Sequence, residues 1–418
     1  MKAAPTPTNE GNRLEALHTY RVLDTPREES FDRVIRLVCR IFSAPIGTIT
    51  LVDQDRQWFK SSFGVDACET ERDISFCGHV VYQGEPLIVL DTYEDERFVD
   101  NPLVVGPPYI RFYAGVPLTT HDGFHIGVLC VQDQQPRPQG FSAEDIATLS
   151  EIAAMTIDEL DLRKAKKQVE NEQEVARRVI HYAARSEVLS IDGVQHYYRP
   201  AERLSGDLLL AGQRPEEDTY LFLLGDFTGH GIGAAVGVPA LAGKFNDLLE
   251  QRVESDRILG LLTQHLYYNL PPEMFLTAAL IEFRLHNESP HLAIWNAGLP
   301  SLLLFTKEQG FTHFPSEGVP LGILPTSEKQ SAGIKRLLPS TKSCLYAFSD
   351  GVIETRLANN SMLGLAGLEK LIQDNPGVNG FERIRQFVEE AQQINRRNAD
   401  DLTLLQLDLE MLTKHLSD

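Results

Sequence analysis

Between Ser142 and Arg185 there is neither a proline nor a glycine. A run of that length without a breaker, opened by an N-cap serine and by Glu144 and Asp145 in the first turn, predicts one long helix. Leu162, Ala165, Val169, Ala176, Val179 and Ala183 recur at three-four spacing, and only Glu172 interrupts them. A helix of about 40 residues with so narrow an apolar seam is seldom stable alone, so the stripe predicts a parallel two-helix coiled coil and a homodimer. The plainer alternative is that the helix packs along its own domain.

The helix splits the chain into segments of different texture. Before it, FDRVIRLVCRIF has helical spacing, whereas PIGTITLVD and HIGVLCVQD alternate like strands, an α+β pattern. After it, short apolar runs (TYLFLLGD, HLAIWNAG, SCLYAFSDG, DDLTLLQLDL) are separated by helical stretches. With 418 residues, two or three domains are expected. The boundaries fall at residues 12–141 for an N-terminal α+β domain, 142–187 for a helical coiled-coil linker and 188–412 for a C-terminal domain.

Charge narrows the partners. Lys and Arg number 39 against 59 Asp and Glu, a net charge of −20, which disfavours nucleic acid and anionic membrane surfaces. The five cysteines (Cys39, Cys68, Cys77, Cys130, Cys344) are scattered, without disulfide or zinc-ribbon spacing. With no apolar run of signal-peptide or membrane-span length, a cytoplasmic protein is expected.

The chemistry lies in the C-terminal segment. Asp226 closes one apolar run and Asp350 another, while Asp207 opens DLLLAG and Asp400 and Asp401 open DLTLLQLDL. In an antiparallel sheet the end of one strand lies beside the start of the next, so these carboxylates can share an edge. Massed like charges need countercharge, and no Lys or Arg lies close to Asp226 in sequence. All-oxygen ligation suits Mg²⁺ or Mn²⁺, and two such ions can activate water and polarise a phosphoryl group for in-line attack. Each aspartate alone also fits a turn or cap: Asp350-Gly351 a hairpin, Asp400-Asp401 a strand-start turn, Asp226 a polar residue before a glycine-rich loop.

The ordered blocks RPAERLSGDLLLA, LLGDFTGHGIGAA, MFLTAALIEF, IWNAGLPSLLLF, EGVPLGILP, YAFSDGVIETR and NADDLTLLQL resemble the PPM-type, metal-dependent serine/threonine protein phosphatases of the sporulation stage II protein E branch. The resemblance spans residues 188–410 and implies an αββα sandwich with two metal ions at one edge. It implies that Asp207 and Asp226 are metal ligands, that Phe227 contributes its backbone carbonyl, that Asp350 and Asp400 hold the second metal, and that Asp401 is their neighbour. Three positions depart from the family pattern: Ser205 where Gly is usual, Thr228 where Ser is usual, and Leu299 where His is usual, which puts substrate contacts near Leu299 in question. His230 either braces its Gly-His-Gly turn or protonates a leaving alkoxide. In GIGAAVGVPALAGKFNDLL, Gly233, Gly237 and Gly243 read as close helix packing or, by the resemblance, as part of a movable switch helix.

The segment RDISFCGHVVYQGEPLIVLDTYEDERFVDNPLVVGPPYIRFYAGVPLTTHDGFHIGVLCVQD is similar to bacterial GAF domains, sensory α+β modules with a six-stranded antiparallel sheet. Their ligands vary, and nothing here selects one. Cys77-Gly78-His79 suggests a metal or tetrapyrrole attachment, but an isolated Cys-x-His reads as core packing. Together the resemblances imply a GAF-regulated protein phosphatase acting on a phosphorylated STAS-type anti-sigma-factor antagonist. The rivals are a non-catalytic scaffold, whose mark would be a missing metal aspartate, and a histidine kinase using His181, for which no glycine-rich ATP-binding block follows.

Overall fold

The computed structural model describes residues 1–418 except 202–203, 215–216, 230, 288, 326–332, 377, 395–399 and 418. At the N-terminal end, α1 (Glu10–Thr19) and α2 (Glu29–Ile41) bury Leu17, Phe31, Ile35, Val38 and Cys39, residues at helical spacing. They precede β1 (Ile46–Val52), β2 (Arg56–Phe63), β3 (Glu69–Glu71), α3 (Phe76–Gln83), β4 (Leu87–Val89), α4 (Pro102–Val105), β5 (Phe112–Thr119) and β6 (His125–Asp133). The six strands form one antiparallel sheet in the order β3-β2-β1-β6-β5-β4. One face packs on α1 and α2, the other on α3 and α4, so the central strands are buried on both sides.

The long helix is α5 (Ala143–Ala183). Ser142 opens it with reciprocal bonds: the Asp145 N–H donates to Ser142 Oγ at 3.0 Å, and the Ser142 N–H donates to Asp145 Oδ2 at 2.8 Å. Leu149, Ala153, Ile157 and Leu160 complete the core on α1 and α2. The chain divides into two compact units, Met1–Glu170 and Asn171–Asp418, with the division inside α5. Along the apolar seam, Leu162 is 64% exposed and Val179 54%.

The second unit continues through β7 (Val194–Arg199), β8 (Asp207–Gln213), β9 (Thr219–Phe227), α6 (Ile232–Ala235), α7 (Gly237–Glu250), α8 (Ser255–Asn269), β10 (Leu276–His286), β11 (Ser289–Ala297), β12 (Leu302–Thr306), β13 (Gly310–Phe314), β14 (Lys335–Leu337) and β15 (Cys344–Phe348). It closes with α9 (Asp350–Glu354), α10 (Gly364–Asp374), α11 (Val378–Ile394), β16 (Leu402–Asp408) and α12 (Leu409–Ser417). Two five-stranded antiparallel sheets result, β14-β11-β10-β9-β8 and β13-β12-β15-β16-β7. Phe222, Leu224, Ile281 and Ile294 of the first meet Leu304, Leu345, Ala347 and Leu405 of the second in the core between them. The opposite faces are covered by α7 and α8 on the first sheet and by α10 and α11 on the second, an αββα order of layers. Apolar runs such as TYLFLLGD lack polar alternation because both faces of their strands are covered. Among the described residues, no helix is long and apolar enough to cross a membrane.

Candidate active site

Asp207 and Asp226 are a registered pair on β8 and β9, so adjacent strands of one sheet carry neighbouring carboxylates. Asp207 is 3% exposed, and Thr403 Oγ1 of the opposite sheet donates to its Oδ2 at 2.6 Å. The turn before it is tight. A Cβ on Gly206 would come within 2.8 Å of the Phe227 carbonyl oxygen and 3.0 Å of Asp226 Oδ1. The Phe227 ring is buried against Gly237, leaving its backbone at the site.

The second sheet supplies the other carboxylates. Asp350 lies two residues beyond β15 and opens α9, so the Ser-Asp-Gly sequence starts a helical turn and is not a hairpin. Asp400 and Asp401 immediately precede β16. Asp401 is fixed by two backbone donors, Ala201 N–H to Oδ1 at 2.7 Å and Gly206 N–H to Oδ2 at 3.2 Å, which tie the start of β16 to the turn before β8. Ser349 links the same pieces: its N–H donates to the Thr403 carbonyl, and its Oγ accepts from the Thr403 N–H at 3.0 Å.

Burial pushes Asp207 up to about 7; hydrogen bonds from Thr403 and Ser349 oppose this, and the charges of Asp401 and Asp350 add to it. Asp226 is pushed to about 8, first by burial and then by Asp207, Asp350, Asp401 and Asp400. Asp350 is raised by burial and by Asp400 and Asp401. The charges raising all three are, among the described residues, those of other aspartates. Among the described residues, no three acidic, histidine or cysteine side chains stand at ion-holding spacing as they are. The carboxylates are close enough to repel one another, and their oxygen-only chemistry fits hard divalent ions.

Other residues singled out by sequence lie elsewhere. Leu299 is buried between the sheets, so the position where the family usually has His does not face the carboxylates here. Its turn is held by Asn296 Nδ2, which donates to the carbonyls of Leu299, Pro300 and Phe314. His230 lies outside the described residues, and His181 sits in the last turn of α5. The glycine-rich stretch read as one helix is two, α6 and α7, divided at Val236; of its glycines, Gly237 packs against Phe227, whereas Gly233 and Gly243 have open space. Cys77 and His79 diverge: His79 Nε2 meets the Lys2 carbonyl at 3.0 Å, while Tyr113 OH donates to Cys77 Sγ. Sequence reasoning missed Ser349, Thr403 and the closeness of Gly351 to Asp401, since a hydroxyl next to a strand-end aspartate carries no signal before the sheets face each other.

Residues 216–410 match the family model of stage II sporulation protein E, and residues 26–157 match that of the GAF domain. Among solved structures, the SiaA-PP2C domain of Pseudomonas aeruginosa shares 17% identity and a TM-score of 0.50, covering 58% of this chain and 98% of that one. The RsbU and RsbW domains of a Mycobacterium tuberculosis protein share 19% identity over 52% of this chain and 60% of that one, with a TM-score of 0.42. A cyclic di-GMP phosphodiesterase of Pseudomonas aeruginosa is 36% identical over 157 residues, 38% of this chain, and the chain spans 27% of that protein's length. The chain therefore carries a GAF domain and a stage II sporulation protein E domain with the PP2C phosphatase fold, linked by the long helix α5.

Proposed function

We propose that residues 188–412 form a Mn²⁺- or Mg²⁺-dependent phosphoserine/phosphothreonine protein phosphatase, controlled by the sensor at residues 12–141 through the helical linker at 142–187. The observation that carries this reading is the meeting of strand-end aspartates from two facing sheets, where the charges of Asp207, Asp350, Asp400 and Asp401 all act on Asp226. Asp207, Asp226 and the Phe227 carbonyl would hold one ion, and Asp350 and Asp400 would hold a second. Bound divalent cations would supply countercharge to these groups, lower the pKa of a water and polarise a phosphoryl oxygen. The chain's own part is orientation: Thr403 holds Asp207, and the N–H groups of Ala201 and Gly206 hold Asp401.

By family resemblance the substrate is a phosphorylated STAS-type anti-sigma-factor antagonist in a cytoplasmic partner-switching pathway. The exposed seam of α5 supports a homodimer through the linker helix. The test is hydrolysis of p-nitrophenyl phosphate and of a phosphoserine STAS protein by the full chain with Mn²⁺, with Mg²⁺ and with chelator. Metal-dependent phosphate release that falls to background in Asp226→Ala and Asp350→Ala is the expected result. Substantial turnover by either variant, or by the chelated protein, would overturn the reading. Binding of the phosphoprotein without turnover would favour a scaffold.

A further inference from the structure

The last turns of α5 fall inside the second unit, Asn171–Asp418, and carry a pattern that neither the apolar seam nor the carboxylate site uses. Arg177, Ile180, His181, Ala184 and Arg185 stand at i, i+3, i+4, i+7 and i+8, which is one face of a helix. Ala184 continues that helix, its N–H donating to the Ile180 carbonyl at 3.0 Å. The face therefore sets basic side chains beside apolar ones.

All five residues line one cavity of about 530 Å³. Its floor is buried and mostly apolar: Leu204 before β8, Leu208 and Leu209 within it, and Val238 of α7 are each no more than 6% exposed. His181, Arg185 and, on β7, His196 form an exposed rim. A space of this size exceeds an ordinary packing defect and lies in the range that small-molecule ligands fill. Water gains little on a hydrocarbon floor, because it finds few polar partners there.

Charge decides what kind of molecule fits. Among the described wall residues, two arginines and two histidines stand against one carboxylate, Asp207. That carboxylate belongs to buried β8, and its Oδ2 already accepts from the Thr403 hydroxyl at 2.6 Å. Arg177 is engaged by Glu174 at 2.8 and 2.9 Å, but both side chains are open to water, where such a pair is weak. Arg185 stands one helical turn beyond His181 at the rim, and a guanidinium there can hold a carboxylate or sulfonate through two parallel N–H bonds.

We propose that this cavity is a binding site for an amphipathic monoanion, a small molecule with an apolar body and a single carboxylate or sulfonate. The body lies on Leu204, Leu208, Leu209 and Val238, and the anionic end pairs with Arg185 beside His181. Such a ligand joins the end of the linker helix to β8, the strand that opens with Asp207. Its binding goes beyond the phosphatase reading and does not rest on it.

The experiment titrates the metal-free full chain with anilinonaphthalenesulfonate, read by its fluorescence, and with the uncharged N-phenylnaphthylamine. The expected result is saturable binding of the sulfonate at one site per chain, displaced by decanoate, with the uncharged compound about tenfold weaker. Ala184→Trp, which fills the cavity from α5, should abolish this binding. Arg185→Gln should weaken the sulfonate about tenfold and leave the uncharged compound unchanged. Absence of saturable binding, equal affinity for the two compounds, or undiminished sulfonate affinity in Arg185→Gln would overturn the proposal. Arg185 is exposed, so its variant keeps the test decisive even if Ala184→Trp fails to fold. The assay contains no metal and no phosphorylated substrate, so its outcome is independent of phosphatase activity.

Discussion

Gly351 has no room for a side chain: a Cβ there would sit 2.1 Å from the Asp401 carbonyl oxygen and 3.2 Å from the Asp400 Cβ. Gly351→Ala should therefore force apart the start of α9 and the approach to β16, costing about 1–3 kcal/mol. The checks are a lower calorimetric transition of the C-terminal unit and weaker Mn²⁺ binding. Asp350-Gly351 reads in sequence as an ordinary turn, and only the packing of the two segments shows why a glycine stands there. Glu10 shows the same dependence on distant partners. Burial opposes its charged form, but Arg13 and Arg72 bond both its oxygens at 2.6 to 2.8 Å and hold its carboxyl at about 2 against an ordinary 4.5. A carboxyl depressed in the folded state contributes stability that is full above its unfolded value and is lost as pH falls from about 4.5 towards 2. Allowing for screening by water, Glu10→Gln should cost the N-terminal unit about 1 kcal/mol at pH 7 and flatten its acid limb over that window, as read from urea midpoints against pH.

The elements were legible where periodicity and punctuation agreed. The absence of proline and glycine, the Ser142 cap and the three-four spacing together predict α5, which runs from Ala143 to Ala183. Its cap is a local device, so Ser142→Ala should lower helix stability by about 1 kcal/mol, visible as faster amide exchange in the first turn of α5. The seam belongs to this scale too: with Leu162 and Val179 exposed, the pair Leu162→Glu and Val179→Glu should shift the full chain to a monomer in sedimentation while leaving its far-ultraviolet dichroism unchanged. Elements with weak patterns were not legible. Strand β7 (Val194–Arg199) reads VQHYYR, and its strand character follows from pairing with β16 at the sheet edge, not from an apolar run. The break at Val236 was equally hidden, because small residues favour neither one helix nor two.

For the whole molecule, the link between the fold and the proposed activity is electrostatic. A centre built of mutually repelling carboxylates weakens the metal-free fold and strengthens its affinity for divalent ions. Mn²⁺ should therefore raise the unfolding temperature of the full chain, by about 2.7 kcal/mol of stabilisation at a hundredfold excess over its Kd, and Asp226→Ala should remove that rise. Differential scanning fluorimetry with and without chelator reads this without any substrate. The sequence by itself determined the long helix, the two flanking textures and the acidic residues at the ends of apolar runs, since these follow from local spacing and turn chemistry. Only the tertiary structure decided that Asp207 bonds Thr403, that Leu299 turns inward and that Gly351 must be glycine. Each of these depends on segments far apart in the chain being brought within a few ångströms, and local propensity carries no record of that approach.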